Sequence, residues 1–194
     1  DQTKYQTGLK TCRNFFVMRH GGVANRTGHA YTTEVKTSSL ATYLLKFVFN
    51  DAQTYLIEAG NLYFRFYRAG AQIVVSGVTA WSAATNYVIG DLASRLGINY
   101  YCIAAHINQQ PPNATYWYPL TGAIYEIPTP YVTADLSTLQ IVQSGDVVTI
   151  THPNYDPREL RRTGHTAWTL TVITFAPSIA APAGPAAVNG TAGA

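Results

Sequence analysis

Residues 54–58 and 62–68, with Gly60 and Asn61 between them, constrain this chain most. Both runs are rich in aromatic and β-branched side chains, and a short Gly-Asn step between two such runs is the mark of an antiparallel hairpin. Side chains alternate across a strand, so the second run sends Leu62, Phe64 and Phe66 to one face and Tyr63, Arg65 and Tyr67 to the other. The first face suits a core. The second, aromatic and cationic, suits contact with a neighbouring subunit.

The same pattern recurs along the chain. Residues 14–19, 31–35, 40–50, 71–78, 123–127, 147–151 and 167–175 read as further strands, separated by Gly, Asn, Asp and Pro turns. In the last of them Trp168, Leu170 and Val172 fall opposite Thr169, Thr171 and Ile173. Helix is confined to a turn at 133–139 and at most one turn at 158–162. The expected fold is therefore mainly β, an antiparallel β-sandwich or barrel-like domain interrupted by a small three-stranded β module. The expected boundaries are 1–76 and 123–176 for the two halves of the domain, 77–122 for the inserted module and 177–194 for an Ala/Gly/Pro-rich tail or linker. That tail and a start without Met suggest a piece of a longer protein.

Composition narrows the function. Hydrophobic residues make up 47% and charged residues only 12%, a balance that suits a packed domain with extensive subunit contacts. The net charge of +3 is spread out except at Arg158, Arg161 and Arg162, so no dense phosphate-binding face exists and nucleic acid is not the primary ligand. These three arginines are expected to pair with acidic groups on a neighbouring subunit. No apolar run approaches the ~18 residues of a membrane span, and no membrane insertion is expected.

Chemistry-bearing motifs are missing. The five histidines form no H-E-x-x-H pair and no Cys/His cluster at zinc spacing, and there is no Gly-rich phosphate loop. A pairing of Asp146 with Asp156 carries little weight among ten acidic residues. The chain is read as non-enzymatic, without metal or cofactor. Cys12 and Cys102 are expected to be isolated buried thiols, and the Asn-x-Thr sequons at Asn25, Asn113 and Asn189 are read as chance in a Thr-rich sequence.

The inserted stretch is different in kind. Trp81, Tyr87, Tyr100, Tyr101, Tyr116, Trp117 and Tyr118 crowd into fewer than forty residues. So small a module has a weak core, and some of these rings are expected on its surface, where flat rings stack on sugars or pack on another protein. Spaced as Trp81, Tyr87, Gly90-Asp91, Tyr100, Cys102, His106, Pro111-Pro112 and Trp117, the stretch resembles the small chitin-binding type of carbohydrate-binding module. The resemblance implies a sugar platform, for which Trp81, Tyr87, Tyr101, Trp117 and Tyr118 are the candidates.

The flanks resemble a second family. Residues 13–17, Gly21-Gly22-Val23, Arg26-Thr27-Gly28, 47–50, 53–58, 65–68, Pro130-Tyr131, Asp135-Leu136, 143–146, His152-Pro153, Leu160, Gly164-His165 and Trp168 are similar to the N-terminal part of the tail nozzle, or tail tubular, proteins of short-tailed bacteriophages. This resemblance implies a virion component that forms a ring with copies of itself, contacts other tail proteins and lets DNA pass as cargo. With the module added, host surface polysaccharide becomes an expected partner. The competing expectation is a secreted glycan-binding accessory protein of a polysaccharide-degrading system.

Overall fold

The computed structural model describes residues 11–19, 21–50 and 52–175. The expected tail at 177–194 lies outside the described residues. The chain divides into two compact units, residues 1–33 and 34–194.

In the first unit β1 (Phe15–Val17) and β2 (Val23–Asn25) form a two-stranded antiparallel sheet of their own. Gly21 and Gly22 turn the chain between them with φ of 98° and 82°, values that glycine adopts without a Cβ penalty. Phe16 is 56% and Val17 69% exposed, and Phe15 and Met18 are also exposed. The alternation at 31–35 makes no strand.

The second unit is a sandwich. Its first half supplies β3 (Tyr43–Asn50), β4 (Gln53–Gly60), β5 (Tyr63–Arg68) and β6 (Ala71–Gln72). The inserted stretch supplies β7 (Asn86–Tyr87), β8 (Leu92–Arg95), β9 (Ile98–Cys102), β10 (His106–Ile107) and β11 (Trp117–Pro119). After it come β12 (Glu126–Pro128), one 3-10 turn at Leu136–Thr138, and β13 (Gln140–Ser144), β14 (Val147–His152), β15 (Tyr155–Gly164) and β16 (Ala167–Val172). One sheet runs β12-β5-β4-β3, with β6 beside β5, and the other runs β13-β14-β15-β16. All their pairings are antiparallel, and the sheets do not close into a barrel.

The core lies between the sheets. Phe47, Tyr55, Ile57, Phe64 and Phe66 come from one, and Val148, Ile150, Leu160 and Trp168 from the other. Trp168 stacks on Phe66 with centroids 4.4 Å apart and meets Phe47 and Tyr55 edge-on at 4.8 and 5.4 Å. Each such ring pair contributes about 0.5–1.5 kcal/mol beyond its burial. Where the edge strands β3 and β13 face each other, one side chain spans the gap. Val48 N–H donates to Gln143 Oε1 at 3.1 Å, and Gln143 Nε2 donates to Val48 O at 2.7 Å.

Three expectations need correction here. Residues 158–162 are the middle of β15 and not a helical turn. Glu, Leu and Arg favour helix in isolation, but Leu160, pairing with Val148 and Leu170 and fully buried, holds the chain extended. Leu62 is not a core residue: it occupies the hairpin turn at φ 65° and is 45% exposed. Of the two free thiols, Cys102 is buried and Cys12 is exposed.

The inserted stretch has a three-stranded sheet, β11-β9-β8, and a further pair, β10-β7. Its own cluster contains Tyr87, Ala93, Tyr100, Cys102 and Trp117. Strand β9 is buried on both sides. Tyr100 and Cys102 enter that cluster, whereas Tyr101 enters the sandwich core, where its hydroxyl donates to Trp168 O at 2.8 Å. Gly90 approaches β16 so closely that a Cβ there would stand 2.8 Å from Thr169 Cγ2. The insert thus lies against the sandwich and shares its core.

Candidate functional site

The structure sorts the expected sugar-platform residues. Tyr87, Tyr101 and Trp117 are buried, which overturns their assignment as exposed platform rings. Trp117 is the centre of the insert's core, with Tyr87 and His106 rings each 4.9 Å away edge-on and its indole N–H donating to Gln109 O at 2.7 Å. The Tyr87 hydroxyl accepts from Ser82 N–H at 2.9 Å. Half-buried Tyr118 is likewise spoken for, since its hydroxyl bonds Glu126 at 3.1 Å and Lys36 Nζ at 3.0 Å.

Trp81 is different. It lines an open cleft of about 550 Å³ with Ser94, Arg95, Asn99 and Gln110. The β8-β9 hairpin builds the cleft wall, turning at Leu96 and Gly97, whose φ values are 52° and 78°. A backbone bond from Trp81 N–H to Ser94 O, 2.9 Å, fixes the ring beside that wall. Arg95 donates to Pro111 O at 2.7 Å, and with the Gln110 amide assigned oxygen-inward its Nε donates there at 2.9 Å. An indole beside amide, hydroxyl and guanidinium groups offers one stacking surface and several hydrogen-bonding groups, the equipment a saccharide needs. Arg95, Asn99 and Gln110 are not singled out by the spacing of the aromatic residues. The available signal was the turn at Gly97, which places residues on either side of it on one wall.

The face carrying Tyr63, Arg65 and Tyr67 is also corrected. Tyr63 and Arg65 are 2% and 3% exposed and cannot serve as a subunit-contact surface. The alternation is right, but both faces of β5 are covered. Arg65 stands in register with Glu58 on β4 and Glu126 on β12. Its Nε donates to Glu126 Oε2 at 2.8 Å, while Lys36 Nζ donates to Oε1 of the same carboxylate at 2.6 Å. Glu58 accepts from the Tyr63 and Tyr67 hydroxyls, both at 2.5 Å. Burial acts to raise the Glu126 carboxyl, but the bonds from Lys36 and Arg65 outweigh it and hold the group below its ordinary value. For Tyr63 and Tyr67 burial, then the Glu58 carboxylate, pushes both phenols up. This is a satisfied buried network, and it needs no further ligand.

The three arginines of β15 do not act together. Arg161 is exposed, 3.4 Å from Glu159. Arg158 and Arg162 face inward, and Arg162 is buried beside Asp146, with Nε 3.3 Å from Oδ1, and over the Phe49 ring at 4.2 Å. Of the three, Arg161 alone is exposed.

His152 does not form a relay. His152 Nε2 meets both Thr138 Oγ1, at 2.8 Å, and Asp135 Oδ1, at 3.8 Å, whereas a relay uses one ring nitrogen for each partner. Its other nitrogen accepts from Asn154 N–H. Among the described residues no three His, Cys, Asp or Glu side chains are grouped to hold a metal.

Comparison with protein families finds no family model that matches this chain, and comparison with curated proteins finds no match either.

Proposed function

We propose that this chain is a non-catalytic structural subunit of a bacteriophage tail, an interface-building part of a nozzle ring whose inserted module offers a cleft to host-surface saccharide. The observation that carries the reading is the exposure of Phe15, Phe16 and Val17 on β1 and of Met18 just after it, in a chain with only 12% charged residues. Contiguous apolar groups of this kind are costly in water and are what a second copy would cover. Closed rings arise when such a heterologous contact repeats with rotation. The resemblance of the flanks to tail nozzle proteins supplies the class of assembly, and DNA is then a passing cargo and not a ligand.

The cleft around Trp81 supplies the second half of the reading. It combines one indole with polar side chains on a module fixed to the sandwich, so a bound sugar would be held rigidly relative to the ring. The test uses the whole chain, because the insert shares Tyr101 with the sandwich core. Sedimentation is expected to show a closed oligomer for the wild type and a monomer for Phe16→Asp. Retention on chitin or cell-envelope polysaccharide is expected to fall at least tenfold in Trp81→Ala with the fold unchanged. A monomeric wild type would overturn the ring, and undiminished retention in Trp81→Ala would overturn the cleft as the glycan site.

A further inference from the structure

A second crevice, of about 220 Å³, opens where the insert meets the sandwich, lined by Ile89 and Ile103 from the insert and by Pro128, Thr129, Arg158 and Leu170 from the sandwich. Its wall mixes apolar side chains with polar atoms in about equal part. Arg158 has no counter-charge. Its cross-strand neighbours are Ile150 on β14 and Val172 on β16, and no described carboxylate lies within ion-pairing distance of it. Its Nε is enclosed and bonds to nothing in the protein.

Two more polar groups share that condition. Thr129, only 8% exposed, lines the crevice with its hydroxyl unbonded. Tyr131, fully buried, also leaves its hydroxyl without a protein partner, and it lies within electrostatic reach of Arg158. Burial pushes that phenol up to about 12, so it is a neutral donor at physiological pH. Enclosing the Nε of an unpaired guanidinium and two unbonded hydroxyls is unfavourable unless something completes them. The guanidinium groups of Arg65, Arg95 and Arg162, by contrast, each have a partner.

We infer that the crevice between insert and sandwich is a binding site for a small monocarboxylate, its carboxylate on Arg158 and the Thr129 hydroxyl and its short apolar chain against Ile89, Ile103 and Leu170. One guanidinium balances one negative charge, and a planar carboxylate matches its fork. A phosphate dianion would leave one charge uncompensated beside a single guanidinium. The site is separate from the cleft at Trp81 and does not depend on the phage assignment.

The test is calorimetric titration of the whole chain with sodium butyrate, beside butyramide and inorganic phosphate. Butyrate is expected to bind, with butyramide and phosphate at least tenfold weaker. Arg158→Gln is expected to weaken butyrate at least tenfold. Thr129→Val, which keeps the shape of the side chain, is expected to weaken it about threefold, with circular dichroism confirming that both variants are folded. No butyrate binding at millimolar concentration would overturn the site. So would equal binding of butyramide, or unchanged butyrate affinity in both folded variants.

Discussion

Arg65 is a buried cation in a network of buried carboxylates. It stands in register with Glu58 and Glu126 on the neighbouring strands, and with half-buried Lys36 it balances the buried Glu126 carboxylate. Truncating one member of a buried pair leaves the other charge uncompensated, which costs about 3–5 kcal/mol. Arg65→Met is therefore expected to lower stability by about that amount in chemical denaturation, and Arg161→Met, on the exposed face of β15, by less than about 1 kcal/mol. Equal losses would show that the network is not the source. His106 makes the opposite point. Its ring is buried among Tyr87, Tyr116 and Trp117, both nitrogens lack a protein partner, and burial holds its pKa below the ordinary 6.5. Above pH 6.5 folded and unfolded chains both hold the ring neutral. As the pH falls below that value the unfolded chain takes up a proton that the folded one refuses, so stability declines until the lower folded value is passed. Thermal melts between pH 7.5 and 5 are expected to show this decline, and His106→Phe to remove its share; a variant melting with the same slope would refute the attribution.

At the scale of elements, the two buried faces of β9 matter most, because they make the insert a layer of the domain. Gly90 is where this becomes testable. With φ of 102° and a Cβ position 2.8 Å from Thr169 Cγ2, Gly90→Ala must both strain the backbone and push the insert off β16. The expected loss is about 1–3 kcal/mol, with faster hydrogen exchange in β9 and β16. Thr169→Ser, which removes the obstructing methyl, should recover part of that loss in the double mutant. Additive losses would mean the contact is not the cause.

The sequence made the strands legible because alternation alone sorts Phe64 and Phe66 from their neighbours, and the density of rings from Trp81 to Trp117 marked a region of its own. It did not say which rings face outward. Tyr100, Tyr101 and Cys102 follow one another, and all three are buried because two different cores receive them. The opposite face of β5 was misjudged for a related reason, since nothing local to Tyr63 and Arg65 reveals that Lys36, Tyr118 and Glu126 lie over them. Residues 158–162 were misjudged because helix propensity is a weak prior against a buried leucine in a four-stranded sheet.

At the scale of the whole molecule, the described surfaces divide into those already satisfied and those that are not. The polar network beneath β5 is complete within the chain. The apolar side chains of β1, the cleft at Trp81 and the crevice at Arg158 are not, and they are where partners or ligands would act. Where β3 and β13 face each other, the backbone of Val48 is satisfied as well. Unpaired strand edges are templates on which foreign strands can grow, and fibrils propagate in that way. Gln143 supplies with its amide the one rung that a further strand would have to offer at Val48. A single side chain thus acts as a stopper at that one position of an otherwise extendable ladder.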